Sequence, residues 1–115
     1  MDNIKNQLKK SLIEFCILII ISSGDVYASD ILERLKKANL LVVEGTLYPL
    51  LSRLRRESLV SYEWVESESG PPRKYYNLTE KGEERLRAFN EAWDSLSNSI
   101  NLLIKNHAKS NKSKN

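Results

Sequence analysis

Between Asn3 and Ser22, the apolar residues Ile4, Leu8, Leu12, Phe15 and Ile19 recur at intervals of three or four, with lysines on the outer side of the early turns. That period predicts a first helix, stopped by Ser23-Gly24-Asp25. A second helix is expected from about Tyr27 to Ala38, burying Ile31, Leu32 and Leu35 and turning Glu33, Arg34, Lys36 and Lys37 to solvent. Leu40 to Val43 is expected to add a short strand. A third helix, from about Glu44 to Glu57, places Leu47, Leu50, Leu51 and Leu54 on one stripe. Pro49 near its start is tolerated because the first amides of a helix have no intrahelical acceptor.

The period then changes to two. Val60, Tyr62 and Trp64 alternate with Ser61 and Glu63, and Tyr76 and Leu78 supply the matching positions of a return strand, so Leu59 to Thr79 is expected to form a hairpin. Its loop is expected to hold Ser67 to Pro72, with Arg73 and Lys74 restrained by the two preceding prolines. Thr79 is a suitable N-cap for a last helix, and Glu80, Glu83 and Glu84 suit its positive end.

Within that last helix Leu86, Phe89, Trp93, Leu96, Ile100 and Leu103 recur in alternating steps of three and four, which is a heptad seam. The seam is longer than so small a core needs. It is expected to meet the first helix of its own chain, a second subunit, or both, the alternative being a helix folded back entirely on its own domain. The expected organisation is a winged helix-turn-helix over residues 1–78, a dimerisation helix over 79–104 and a disordered basic tail over 105–115. The fold class is mainly α with a small β-hairpin.

Composition bounds the function without naming it. At 115 residues the chain can hold one modest core. Its formal net charge is +3, but the four lysines from Lys105 onward come with no acid, so 3 − 4 leaves residues 1–104 at −1. Nucleic-acid binding must therefore rest on local patches rather than on total charge. The single cysteine, Cys16, has no partner for an internal disulfide and belongs to no metal-ligand spacing; it reads as a small buried hydrophobe or, alternatively, a redox sensor. The apolar run around it includes Glu14 and falls short of the roughly 20 residues of a spanning helix. A cytoplasmic protein with no metal and no cofactor is expected.

The outer face of the third helix carries Thr46, Tyr48, Pro49, Ser52, Arg53 and Arg56, opposite the leucine stripe. A helix of this kind followed by a basic two-stranded ribbon suits double-stranded DNA: the helix matches a major groove, and the ribbon can follow phosphates or probe the neighbouring minor groove. Thr46 and Ser52 are short enough to let the helix approach base edges, the Tyr48 hydroxyl can bond a phosphate, and Arg53 and Arg56 are candidates for groove contacts. The competing reading of these arginines is a solvated face paired with Glu57 or Glu44. Arg55 lies at the edge of the stripe and is expected to be structural, and Tyr62, Trp64, Tyr75 and Tyr76 are expected to pack the wing. No nucleophile beside a base, phosphate loop or metal cluster supports an enzyme.

Gly45-Thr46-Leu47-Tyr48-Pro49, Leu51, Arg53-Leu54, Leu59-Val60, Arg73-Lys74-Tyr75-Tyr76 and Leu78-Thr79 with Gly82 together resemble the PadR family of bacterial transcriptional regulators, over about Leu12 to Gly82. The resemblance implies a winged-helix repressor that binds an inverted-repeat operator as a homodimer. It places Tyr27, Thr46, Tyr48, Pro49, Arg73, Lys74 and Tyr75 at the DNA. It also places Leu8 and Leu12 of the first helix, with Leu86, Phe89, Trp93, Leu96, Ile100 and Leu103, at the dimer contact. Similarity to short members that respond to small aromatic or hydrophobic compounds suggests an effector site at Phe15, Phe89, Trp93 and Leu96, against a closed, tightly packed seam. Two positions depart from the family pattern: Ala28 replaces the usual glycine after Tyr27, and Ser58 replaces the glycine after the third helix, so that helix end is expected to be built differently. The rival function is a winged-helix protein interaction module without sequence-specific DNA binding, which would lack a steep salt dependence.

Overall fold

The computed structural model describes residues 2–114, with side chains for residues 4–108. Helix α1 spans Asp2–Ser22, strand β1 Val26–Tyr27, α2 Ala28–Lys37, α3 Glu44–Arg56, β2 Val60–Ser67, β3 Gly70–Leu78 and α4 Glu80–Lys114. The strands form an antiparallel sheet in the order β1-β3-β2. The fold is a winged helix-turn-helix with a long final helix, as the sequence predicts, except that the hairpin gains a third strand. That strand comes from Val26 and Tyr27, which pair with Tyr76 and Tyr75. Leu40 to Val43, predicted as a strand, runs as an irregular connection instead.

The core lies where α1, α2, α3 and the base of the sheet meet. Ile17 and Leu18 of α1, Ile31 and Leu35 of α2, Leu47, Leu51 and Leu54 of α3, and Leu59 and Val60 are all essentially inaccessible. Burying each such side chain stabilises the fold by roughly 1.5–3 kcal/mol relative to leaving it in water. The apolar residues of α1 occupy two faces rather than one. Ile13, Ile17, Ile20 and Ile21 enter the core, whereas Ile4, Leu8 and Ile19 of the predicted stripe stay exposed. The sequence period was real, but it marked a second face, on which Phe15 packs against Phe89 of α4 while Ile4, Leu8 and Ile19 stay open.

Both helix-turn-helix helices end in the same way. Asn39 and Ser58 take left-handed backbone angles, with φ of 60° and 63°. At the end of α3 the Leu59 amide donates to the Leu54 carbonyl at 2.9 Å and the Ser58 amide to that of Arg55 at 2.9 Å. The Leu40 and Asn39 amides repeat the pattern on Leu35 and Lys36 at 2.8 and 3.0 Å. These are Schellman closures, normally built on glycine. Ser58 therefore does not change the ending of α3, contrary to expectation; it adopts the glycine-like geometry, and its carbonyl accepts the Thr79 hydroxyl at 2.5 Å. Thr79 in turn caps α4, its Oγ1 accepting from the Gly82 amide at 3.0 Å.

Helix α4 continues to Lys114, so the disordered tail predicted from Lys105 is helical over residues 105–114. No glycine or proline interrupts that segment, and its lysines suit the negative end of a helix dipole. Asn115, and the side chains of Lys109, Lys112 and Lys114, lie outside the described residues. At 35 residues α4 is about 52 Å long at 1.5 Å per residue, and the molecule extends 67 × 29 × 20 Å. Among the described residues no helix is long and apolar enough to cross a membrane.

Candidate nucleic-acid interface

Because α3 buries Leu47, Leu51 and Leu54, its other side must face away from the core, and Thr46, Tyr48, Pro49, Ser52, Arg53 and Arg56 are all exposed. They divide between two flanks. Tyr48 opens onto a 260 Å³ cleft shared with the wing, lined also by Tyr27, Ser29, Trp64, Arg73, Lys74 and Tyr76. Thr46, Pro49, Arg53 and Arg56 open onto a 390 Å³ cleft against α1. Ser52 lies on the exposed face of α3.

On the wing side, pairing of Tyr27 with Tyr75 brings the start of α2 to the middle of β3. Their rings lie 4.8 Å apart between centroids. The Arg73 guanidinium sits over the Tyr27 ring at 3.9 Å and donates to the Ser29 hydroxyl at 2.6 Å, so a strand residue and a helix residue hold one cation in place. Lys74 lies over the rings of Tyr62 and Trp64 at 4.6 and 5.4 Å. The Tyr27 amide donates to Asp30 Oδ2 at 2.9 Å, which closes the first turn of α2 around its own carboxylate.

The wing differs from the predicted hairpin in where its charges fall. Ser67 pairs with Gly70 across a tight turn at Glu68 and Ser69, and Pro71 and Pro72 belong to β3, with no partner in the register to β2. The absence of two amide donors is tolerated there because β1 covers β3 only at Tyr75 and Tyr76, leaving the proline stretch at an open edge. Arg73 and Lys74 consequently sit in the body of the strand, while the tip carries exposed Glu66 and Glu68. An acidic tip is repelled by phosphates, so the cationic part of the wing is its middle. Trp64, expected to pack the wing, is 62% exposed because it pairs with Lys74 beyond the reach of the core. Tyr76 is buried, and burial raises its hydroxyl pKa, with Tyr62 and Tyr48 adding to the rise and Arg55 opposing it. Arg55, exposed at the edge of the leucine stripe, stacks over Tyr62 at 4.7 Å.

Arg53 is not paired with Glu57 or Glu44. Its Nη2 donates to Glu14 Oε1 at 2.9 Å, and Arg85 Nη1 of α4 donates to Glu14 Oε2 at 3.4 Å. Glu14 is thus a buried carboxylate shared by α1, α3 and α4, and Arg53 leans to the α1 flank rather than standing free on the groove-facing side. Its side chain remains 46% exposed, and the guanidinium has five N–H donors, of which the bond to Glu14 uses one. Sequence reasoning missed Glu14, Arg85, Ser29 and the exposure of Trp64. The one available signal was Glu14 itself, an acid inside an apolar run.

Between α1 and α4, Phe15 stacks on Phe89 at 5.4 Å and 18°, with Trp93 at 6.5 Å. Phe15 and Trp93 line a 290 Å³ apolar recess with Leu8, Leu12, Cys16 and Ile19, Phe89 backs Phe15, and Leu96 lies outside the recess on α4. Leu86 and Phe89 are packed against the core. The rest of the seam is uncovered: Trp93, Leu96, Ile100 and Leu103 are 45–69% exposed.

The model of the transcriptional regulator PadR-like family matches residues 17–88. Among solved structures, a PadR-like transcription factor from Bacteroides fragilis shares 51% identity over 88% of this chain and 98% of its own, with a TM-score of 0.75. A PadR-like transcriptional regulator from Bacillus cereus shares 40% identity over 85% of this chain and 96% of its own, with a TM-score of 0.78. At 21% identity, PadR of Bacillus subtilis, solved in complex with operator DNA, shares the fold over 68% of this chain and 46% of its own, with a TM-score of 0.63. The search of curated proteins returned no match.

Proposed function

The chain belongs to the PadR-like family of transcriptional regulators, and from that premise we propose that it is a cytoplasmic homodimeric repressor that binds an inverted-repeat operator in duplex DNA. The observation that carries this reading is the wing-side cleft. There Tyr48 of the exposed α3 face meets Arg73 and Lys74 of the wing, both cations being held over aromatic rings. Such preset charges lose little conformational freedom when they meet a phosphate. Residues 1–78 then form the reading head, with α3 in the major groove and Tyr27, Tyr75 and the mid-wing cations along the backbone. The Bacillus subtilis protein solved in complex with operator DNA shares this fold, which supports duplex DNA as the partner.

The second subunit covers the exposed seam. Trp93, Leu96, Ile100 and Leu103 on α4, with Leu8 on α1, form an apolar surface too extensive to suit a monomer in water. The recess beside Trp93 and Phe15 supports a further step, in which a small aromatic or hydrophobic effector binds between subunits and releases DNA. It can do so only by favouring one dimer spacing over another. A Trp93→Glu/Leu96→Glu variant is expected to sediment as a folded monomer and to lose at least about 100-fold in duplex affinity, since half the phosphate contacts go with the partner. A variant that stays dimeric, or a monomer that binds as tightly as the parent, contradicts the proposal.

A further inference from the structure

The cleft between α1 and α3 is lined on one side by groove-facing residues of α3, but the reading above gives its α1 side no role, although the rim is cationic. Lys9 and Lys10 of α1 face Arg53 and Arg56 of α3 across a floor that includes Ile13 and Leu50. Lys9 donates to the Leu41 carbonyl at 2.8 Å, fixing α1 against the connection between α2 and α3, and keeps two ammonium hydrogens for another acceptor. Lys10 and Arg56 are exposed and form no hydrogen bond or ion pair among the described residues. Arg53 is held at the cleft by Glu14, so its direction is set before any ligand arrives.

Geometry says what such a rim faces. A helix with its side chains is about 10–12 Å across and a major groove about 12 Å wide, so α3 lying in the groove has a sugar-phosphate strand on each flank. The wing supplies Arg73 and Lys74 to one flank only. The other flank is this cleft. We propose that it is a second phosphate seat, in which Lys10 and Arg56, with Lys9 and Glu14-aligned Arg53 behind them, hold the DNA strand opposite the wing. Glu14 is a positioning residue in this arrangement and does not touch DNA. The inference rests on the DNA-binding reading, and it adds α1 to the contact surface.

The test is the salt dependence of binding by the full chain to a fluorescein-labelled duplex of about 30 mixed-sequence base pairs, where affinity comes from phosphates alone. Between 50 and 250 mM KCl, Lys10→Gln is expected to lower the slope of log affinity against log salt by about one per subunit, and Lys10→Gln/Arg56→Gln by about two. Lys10→Arg is expected to keep the parent slope. Circular dichroism melts identify any variant that fails to fold. Lys74→Gln serves as the wing control. If Lys74→Gln lowers the slope while Lys10→Gln and the double variant leave slope and affinity unchanged within twofold, the cleft holds no phosphate and the inference is overturned, the DNA reading standing. If the parent chain binds duplex without salt dependence, the DNA reading fails and takes the inference with it.

Discussion

Glu14 shows how a single side chain connects parts of this molecule that no stretch of sequence connects. Its two oxygens take donors from Arg53 and Arg85, thirty-nine and seventy-one residues away along the chain. Removing it leaves two arginine side chains that are 46% and 40% exposed and can rehydrate in place. The loss is therefore smaller than for a fully buried pair: Glu14→Ala is expected to destabilise the fold by about 1–2 kcal/mol, read as a lower midpoint in urea with an unchanged slope. Cys16 offers a test by pH. Burial pushes its thiol above the ordinary value of 9.0, only partly offset by a backbone hydrogen bond. The folded chain should thus react with iodoacetamide at pH 8 more slowly than the urea-unfolded chain. Because the raised value belongs to the folded state, the contribution of this group to stability is present below about pH 9 and is lost as pH rises through the folded value. Equal labelling rates would contradict the burial of that thiol. At this scale the sequence was legible where a residue type has one use, as with Thr79 at its cap. It was not legible where a charge has several possible partners, as with Arg53, because pairing is decided by helices packed together in space.

Among the elements, periodicity identified all four helices and the hairpin, with α2 and α3 placed to within a few residues because the leucines mark the face each buries, while α4 runs ten residues past its predicted end. Strand β1 went unseen since two residues carry no period, and its pairing depends on β3 arriving from fifty residues downstream. The two faces of α1 were not separable for the opposite reason: nearly every residue from Leu12 to Ile21 is apolar, so the pattern does not say which face the core takes. The contact between α4 and the base of the wing is a packing constraint that the sequence marks without explaining. A Cβ on Gly82 would stand 1.9 Å from the Leu59 carbonyl oxygen. That carbonyl also accepts the Thr79 amide at 3.2 Å, so it cannot simply retreat. Glycine to alanine inside a helix ordinarily stabilises by roughly 1 kcal/mol. Here Gly82→Ala is expected to do the reverse, by about 2–3 kcal/mol, through overpacking. A thermal midpoint at or above that of the parent would show that α4 does not press on Leu59.

For the molecule as a whole, the candidate site was half legible. The exposed face of α3 and the basic pair of the wing could be read from residues, whereas the acidic wing tip and the cleft beside α1 required the fold. The predicted basic tail proved to be more helix, so α4 forms a long spar whose apolar side is open from Trp93 to Leu103. On the proposed account this spar joins two subunits and sets the distance between their α3 helices, and a molecule lodged beside Trp93 acts on DNA only through that distance. Two such helices enter successive major grooves when their half-sites lie about 34–36 Å apart, close to one turn of DNA or a multiple of it. The most direct measurement begins with selection of duplexes from a randomised library by the purified chain, followed by affinity for the selected site with and without five base pairs inserted at its centre. The account predicts an enriched inverted repeat whose affinity falls at least about 100-fold on insertion, because half a turn points one half-site away from its subunit. Enrichment of no repeat, or an affinity indifferent to the insertion, would contradict it.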